Sequence, residues 1–390
     1  MSNVDETFMR RAIELAKQGE GFVEPNPMVG CVLVQAGEII GEGFHQEFGG
    51  PHAEINAINS AIEQGKLPAG DFSDSTADHD SITAYVSLEP CSHQGKTGPC
   101  ASAIIRAGVT RVVVACGDPN PLVGGQGLSQ LRNAGVEVVT GVLEKESRDV
   151  LAPFLKRFEQ SKPWMIAKWA MTLDGRIATR IGDSEWISSL QSRAIVHLLR
   201  ARVDAIMIGI GTAIADDPML NARDLAPDDL HVSRNPAMRI VVDSTARISL
   251  DSNLVQTAEE IPTMIVVGPE CDSAKIEQLR EYHCSVFESD LRDANQRLDE
   301  LLSYLGTQQI TNVLVEGGGQ LLGSLNDLGQ IDEVHCFIGP KIVGGRESLS
   351  PVLGTGIDVL QNASLVDLRS VQRVENDIYL ISRIQKPFDE

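Results

Sequence analysis

Two successive α/β domains are the architecture that this chain predicts, and three observations carry the prediction. Its 390 residues exceed what one ordinary core accommodates. Strand-like apolar runs alternate with helix-period segments along both halves. Between the halves, residues 144–160 interleave charges with Leu151, Phe154, Leu155 and Phe158, the pattern of a connecting helix or helical hairpin. The boundary therefore lies within residues 140–162, and the domains are taken as 1–147 and 148–390.

The first element is a helix, since Glu6 to Lys17 carries Phe8, Ala12, Ile13, Leu15 and Ala16 at helical spacing. Gly30–Gln35 and Glu38–Gly43 flank a short Ala36-Gly37 turn and read as a hairpin. His52 opens a helix to about Gln64, Thr83–Leu88 is a buried strand ending at Glu89-Pro90-Cys91, and Cys100 opens a helix to about Ala107. Strands at Arg111–Ala115 and Val136–Val139, with a helix at Leu128–Asn133 between them, complete an α/β/α layered domain. Residues 68–81 are too polar to fold alone and read as a solvated surface loop. Pro163 starts the second domain. Its strands are Met165–Ala170, Ala205–Ile208, Arg239–Val242, Thr263–Val267, Asn312–Val315 and Glu333–Ile338, with helices between them, notably Gln191–Arg202. No long internal repeat is visible, so the halves are expected to be different folds with different tasks.

His52-Ala53-Glu54 followed by Pro90-Cys91 and Cys100 reads as a catalytic zinc site. One imidazole and two thiolates suit Zn²⁺, and three protein ligands leave the fourth tetrahedral position open for water. Glu54, two residues from His52 at a helix start, reaches such a water without binding the metal. Zinc deaminases have this arrangement, usually with two residues between the cysteines. Here eight lie between them, Ser92 to Pro99, so that loop has to fold back on itself. His93 is a rival ligand, but its short spacing from Cys91 favours an outer or substrate contact. Cys31, Cys116 and Cys336 lie in or beside apolar runs and are expected in the core. Cys271 and Cys284 lack ligand-spaced neighbours.

Seven cysteines at irregular spacing point to a reducing cytoplasm rather than a disulfide framework. No run approaches a membrane span, and nothing resembles a targeting peptide. A formal charge of -21 repels phosphate polymers, so neither nucleic acid nor membrane is expected as a partner, while a small phosphorylated ligand held by a few arginines is compatible with it. Two rival readings are a nucleoside or tRNA-base zinc deaminase with an appended binding domain, and a non-enzymatic zinc module. Net acidity opposes the tRNA version, and Glu54 would be idle in a structural zinc site.

In the second half, residues 316–324 run Glu-Gly-Gly-Gly-Gln-Leu-Leu-Gly-Ser after an apolar strand. Such a turn admits a pyrophosphate at a helix start, or is simply a tight strand-to-helix turn. No Gly-x-Gly-x-x-Gly fingerprint is present, so these residues alone leave the cofactor open.

Taken together, Pro25-Asn26-Pro27-Met28-Val29-Gly30, Pro51-His52-Ala53-Glu54, Leu88-Glu89-Pro90-Cys91-Ser92-His93, Gly117-Asp118-Pro119-Asn120-Pro121, Thr172-Leu173-Asp174-Gly175-Arg176, Ala215-Asp216-Asp217-Pro218 and Val315-Glu316-Gly317-Gly318 closely resemble, from end to end, the motifs of one family. It is the family of bifunctional riboflavin-biosynthesis proteins, in which diaminohydroxyphosphoribosylaminopyrimidine deaminase is joined to 5-amino-6-(5-phosphoribosylamino)uracil reductase. The eight-residue gap before Cys100 is a family trait. Departures are the longer acidic loop at 68–81 and Leu151, where asparagine is frequent. The resemblance implies a cytidine-deaminase-like domain followed by a dihydrofolate-reductase-like domain, one Zn²⁺ per chain, NADPH, and a homo-oligomer. It implies hydrolytic loss of the 2-amino group, then reduction of the ribosyl group to ribityl.

By the same resemblance Asn26, His45 and Ser92 contact the deaminase substrate. The nucleotide falls to Ala170, Trp186, Thr212, Asp216 and Ser244 with Gly318, Gly319, Gln320, Leu321, Leu322, Gly323 and Ser324. The reductase substrate falls to Ser184, Arg200, Leu220, Arg223 and Glu316. Guanidinium groups at Arg200 and Arg223 suit phosphate, although Arg200 on a helix could form an ion pair instead. Lys168, in the strand before Thr172-Leu173-Asp174-Gly175, is a candidate polariser of the sugar carbonyl, and no proton donor is assigned.

Overall fold

The computed structural model describes residues 3–68, 81–92, 98–120, 124–225 and 236–385. By its internal contacts the chain divides into two units, Met1–Gln160 and Ser161–Glu390. The expected surface loop lies outside the described residues from 69 to 80, as does His93.

In the first unit, Ala36 and Gly37 both take positive φ, which turns β1 (Gly30–Gln35) back onto β2 (Glu38–Phe44) as the spacing predicts. β3 (Ile82–Leu88), β4 (Val109–Cys116) and β5 (Glu137–Thr140) complete a sheet ordered β2-β1-β3-β4-β5, parallel from β3 onward. Strand periodicity sends alternate residues to opposite faces, and both faces are covered. On one, α1 (Asn3–Ala16) lays Met9, Ala12 and Ile13 against Val32, Tyr85 and Val113. On the other, α2 (Ala53–Glu63), α3 (Cys100–Arg106) and α4 (Gln126–Asn133) set Ala57, Ala61, Ile104 and Leu131 against Cys31, Leu33, Val86 and Val114.

The seat of α2 is set by two glycines. A Cβ at Gly41 or Gly43 would lie 2.3 Å from the Ala57 backbone, so side-chain-free positions on β2 let the helix approach closely and fix where its N-cap, His52, points. α5 (Glu144–Gln160) is one continuous helix through Pro153. Its Leu151, Phe154 and Leu155 pack with Leu88 and Cys116, so the whole helix falls in the first unit. The division accordingly comes after Gln160, later than the expected 147/148, and Leu151 is a core residue here.

The second unit is built on a nine-stranded sheet ordered β10-β9-β8-β7-β11-β6-β12-β14-β13. Its strands are β6 (Trp164–Thr172), β7 (Ala205–Gly209), β8 (Met238–Val242), β9 (Thr263–Val267), β10 (Ser285–Glu288), β11 (Asn312–Glu316), β12 (Glu333–Gly339), β13 (Val366–Val374) and β14 (Asp377–Ile384). The run from β10 to β12 is parallel, and β14 and β13 add an antiparallel hairpin. α10 (Ala294–Thr307) and α11 (Gly319–Asp327) cover Met165, Ala167, Val313 and Val315 on one face. α7 (Ile210–Asp216), α8 (Asn253–Gln256) and α9 (Ser273–Glu281) cover Ile208, Val241 and Ile265 on the other. α6 (Leu190–Arg202) brings Val196 against Phe337 and Tyr379. Because the strands are parallel, their C-terminal ends gather along one edge, where open α/β sheets place ligands.

Candidate functional site

His52 ends the loop before α2, Cys91 follows β3, and Cys100 begins α3, so sheet and helix starts bring all three to one point. Their donor atoms lie within 4.8 Å of one another. His52 Nδ1 is 3.7 Å from Cys91 Sγ and 3.3 Å from Cys100 Sγ. Zinc bonds of about 2.0–2.1 Å to nitrogen and about 2.3 Å to sulfur, at tetrahedral angles, put such atoms about 3.6 Å apart. Both nitrogen-to-sulfur spacings therefore fit zinc. The eight-residue gap closes through the backbone: Ala101 N–H donates to Cys91 O at 3.1 Å, and Cys100 N–H points at Cys91 Sγ at 3.4 Å. A hydrogen bond from the Cys100 thiol, with His52 nearby, brings Cys91 down to about 4, while that thiolate and burial drive Cys100 upward. Two such groups share one negative charge until a dication balances both.

Glu54 is only 3% exposed in the first turn of α2, outside the trio of candidate ligands. Burial raises its carboxyl above the ordinary value, which suits a group that takes up and returns a proton. His45 stands edge-on to His52, ring centroids 5.2 Å apart. Its Nδ1 donates to Pro51 O at 3.0 Å, so Nε2 accepts from Asn26 Nδ2 at 3.1 Å, and burial keeps the ring neutral. Asn26 thereby turns its carbonyl oxygen away from His45. Ser92 Oγ is buried with no hydrogen-bond partner among the described residues, an orphan next to Cys91 that a substrate polar group would satisfy.

Two positioning groups were not anticipated. Asn56 Nδ2 donates to Phe44 O at 2.8 Å and to Pro51 O at 3.3 Å, tying β2 to the segment before His52. The buried Glu89 carboxylate accepts N–H bonds from Gly125 at 3.0 Å and Gly127 at 3.1 Å, clamping the start of α4 against the strand end that carries Cys91. Its place between Leu88 and Pro90-Cys91 was the available signal.

The second cluster lies at the C-terminal edge of the large sheet. Glu316 ends β11, and Lys168 is its register partner on β6, Nζ to Oε2 3.3 Å. Arg200 reaches from α6 and grips the same carboxylate twice, Nε to Oε1 2.5 Å and Nη2 to Oε2 3.0 Å. Burial alone would raise Glu316, but Arg200 and Lys168 outweigh it and hold the carboxyl at about 2. Arg200 is thus paired in this structure, the alternative its helical position left open, and Arg223 is the more exposed of the two arginines. Breaking the pair by Glu316→Gln strands a buried guanidinium and is expected to cost about 3–5 kcal/mol. A urea midpoint equal to that of the unaltered protein would contradict this. Since the carboxyl is depressed on folding, its contribution is full above the unfolded range of about 4.3 and is lost as pH falls towards about 2.

The nucleotide candidates line the same edge. Gly317 and Gly318 follow β11 with φ of +94° and +78°, and a Cβ on Gly317 would sit 3.2 Å from Thr212 Oγ1. Only glycine leaves that turn open, with the first N–H groups of α11 beyond it, so the residues fit a pyrophosphate. Gln320 is exposed, whereas the side chains of Leu321 and Leu322 join the core and offer only their backbone. Gly319 and Gly323 carry the loop at Ser350–Gly354. Ala170 is partly buried on β6. Burial and then Glu185 raise the Asp216 carboxyl above its ordinary value, with Lys168 acting the other way. Ser244 Oγ accepts from Arg297 Nη2 at 2.6 Å. Trp186 is 58% exposed beside the exposed Ser184, with the Arg193 guanidinium 4.2 Å from its ring centre. Leu220 buries its side chain with Ile210 and Ala213 at φ +45°, leaving only its strained backbone for a ligand.

Comparison with known proteins agrees with this division. Residues 2–116 match the cytidine and deoxycytidylate deaminase zinc-binding region, and residues 163–380 match the RibD C-terminal domain. The chain is 44% identical over 381 residues to the riboflavin biosynthesis protein RibD of Actinobacillus pleuropneumoniae, covering 97% of this chain and 95% of that protein. It is 38% identical over 384 residues to RibD of Escherichia coli K12, covering 96% and 98%. Among solved structures, Acinetobacter baumannii RibD superposes with a TM-score of 0.81 at 34% identity, covering 98% of this chain and 99% of that one. A Thermotoga maritima diaminohydroxyphosphoribosylaminopyrimidine deaminase/5-amino-6-(5-phosphoribosylamino)uracil reductase gives 0.79 at 34% identity, with 98% and 99% covered.

Proposed function

The chain belongs to the RibD family of riboflavin-biosynthesis proteins, bifunctional deaminases and reductases, and from that premise we propose that its two sites act in turn on one phosphorylated pyrimidine. Its first domain is a cytidine-deaminase-like zinc domain and its second is dihydrofolate-reductase-like. The proposed substrate is 2,5-diamino-6-(5-phosphoribosylamino)pyrimidin-4(3H)-one, and the proposed product 5-amino-6-(5-phosphoribitylamino)uracil. The observation that carries this reading is the His52, Cys91 and Cys100 trio with Glu54 buried beside it.

His52, Cys91 and Cys100 would hold zinc, which would supply a Lewis acid that brings water ionisation near neutrality. Glu54 takes the proton released by the attacking water and hands it to the departing amine. Asn26, oriented by His45, meets the ring edge, and Ser92 Oγ gains the partner it lacks. Chelation is expected to abolish ammonia release from the diaminopyrimidinone while NADPH oxidation with the uracil substrate persists, and added zinc should restore it. Ammonia release that survives complete removal of the metal would contradict the reading.

In the second domain NADPH, when bound, would supply the hydride. The turn at Gly317–Gly318 and the start of α11 suit its pyrophosphate, with Thr212, Asp216 and Trp186 along the same edge. Lys168 polarises the opening sugar carbonyl, and Glu316 with Arg200 fixes where that ammonium points. Arg223 takes the phosphate. Arg223→Ala is expected to raise KM for the uracil substrate about ten- to a hundredfold, with KM for NADPH nearly unchanged. Lysine there should recover only part, because it lacks the two-pronged geometry. A loss confined to NADPH would move Arg223 to the cofactor.

A second copy of the chain is the proposed partner. β13 ends the large sheet and exposes Val366, Leu368 and Val371, an apolar edge that association would cover. Among the described residues no helix is long and apolar enough to cross a membrane. A reducing cytoplasm suits the two zinc-ligating thiolates.

A further inference from the structure

His197, one turn before Arg200 on α6, is a titratable group to which the substrate reading gives no task, and the role argued for it rests on the placement of phosphate at Arg223. Its Nδ1 is 3.3 Å from Asn221 O. A carbonyl only accepts, so the ring carries its proton on Nδ1 and leaves Nε2 with a lone pair and no partner among the described residues. Asn221 also gathers two cations. Its carbonyl also accepts from Arg200 Nη1 at 3.2 Å, and its Oδ1 accepts from Arg223 Nη1 at 3.2 Å.

The charges around this asparagine do not cancel. Arg200 is already paired with Glu316. Among the described residues Arg223 pairs with Asp224 alone, at 3.8 Å, a carboxylate that is 85% exposed and therefore well screened. In a chain of formal charge -21, a local excess of positive charge marks a place built for an anion. Burial, then Arg200 and Arg223, lower His197 below its ordinary value, with Glu316 pulling weakly the other way.

We infer that His197 recognises the phosphate end of the reductase substrate: neutral in the free protein, it takes up one proton as the sugar phosphate docks at Arg223 and then donates through Nε2. The phosphate dianion reverses the sign of the field that keeps the ring neutral. The proton comes from solvent or from a phosphate monoanion. No other bond changes. With the ring's affinity for a proton low when free and high when bound, substrate affinity falls as pH rises through the interval between them, by up to about tenfold per pH unit. Ionisation of the phosphate itself, near about 6, acts in the opposite direction.

The test is steady-state reductase kinetics of the full-length chain from about pH 6 to about pH 8, spanning the ordinary histidine range. His197→Asn is compared with the unaltered protein, because its amide can still donate to Asn221 O. His197→Gln is the second variant. For the phosphorylated uracil substrate, KM at the acid end should rise about ten- to a hundredfold, and its climb with pH should disappear. kcat, KM for NADPH and KM for the dephosphorylated substrate should change little. In parallel, the His197 ring signal, followed by NMR, should titrate at higher pH when ribose 5-phosphate is added. A pH profile of KM shared by the unaltered protein and both variants, or a ring titration unmoved by ribose 5-phosphate, overturns the inference. If Arg223→Ala still weakens the substrate in that case, only His197 has been misassigned; if Arg223→Ala is silent too, the phosphate site itself is wrong.

Discussion

Glu54→Gln should leave zinc content unchanged while ammonia release falls by roughly 10²–10⁴-fold, the usual worth of a positioned proton carrier. The amide keeps the shape of a side chain that is 3% exposed, so the packing of α2 survives. It has no proton to exchange. Glu54 lies outside the three donor atoms, so the metal has no reason to leave. NADPH oxidation with the uracil substrate should be untouched, because Glu54 lies in the first unit and the reductase cluster in the second. Zinc content and ammonia release are measured on the same preparation. Equal zinc with near-normal release would remove Glu54 from the chemistry.

Cys91→Ser and Cys100→Ser should each lose zinc and all measurable deamination. A neutral hydroxyl replaces a thiolate, and two remaining ligands cannot hold a site that needs three. The reductase is expected to continue turning over the pre-deaminated uracil substrate at an unchanged rate. Each unit has its own core: Cys31, Leu33 and Val86 anchor one, while Met165, Ala167 and Val313 anchor the other. Parallel loss of zinc and reductase turnover, with the second unit still folded, would show that the sites are not separate.

The candidate zinc site was legible because its chemistry is compressed into short motifs whose local structure is also predictable. His52 and Cys100 read as helix starts, Cys91 reads as a strand end, and the structure places them so. What closes the gap between the cysteines is backbone hydrogen bonding from Ala101 and Cys100, which side-chain identity does not announce. The reductase cluster was less legible because β11 lies between β7 and β6, so Glu316 meets Lys168 and Arg200 only after the crossovers are known. Arg200 could be read as a phosphate ligand or an ion-pair partner until Glu316 was seen against it. His197 had a signal, three residues before Arg200 on one helix face, but Asn221 gives it meaning only in three dimensions. β13 escaped notice because it is largely exposed, and β10 because four residues with exposed ends carry no clear alternation.

The central claim is that one chain carries two chemistries acting in sequence on one molecule. Incubating the purified protein with the diaminopyrimidinone ribosyl phosphate, with and without NADPH, tests it most directly. Without NADPH, ammonia should be released and the deaminated ribosyl compound should accumulate. With NADPH, cofactor oxidation should follow ammonia release and reach the same molar yield. NADPH oxidised without ammonia, or ammonia released with NADPH untouched, would contradict the account.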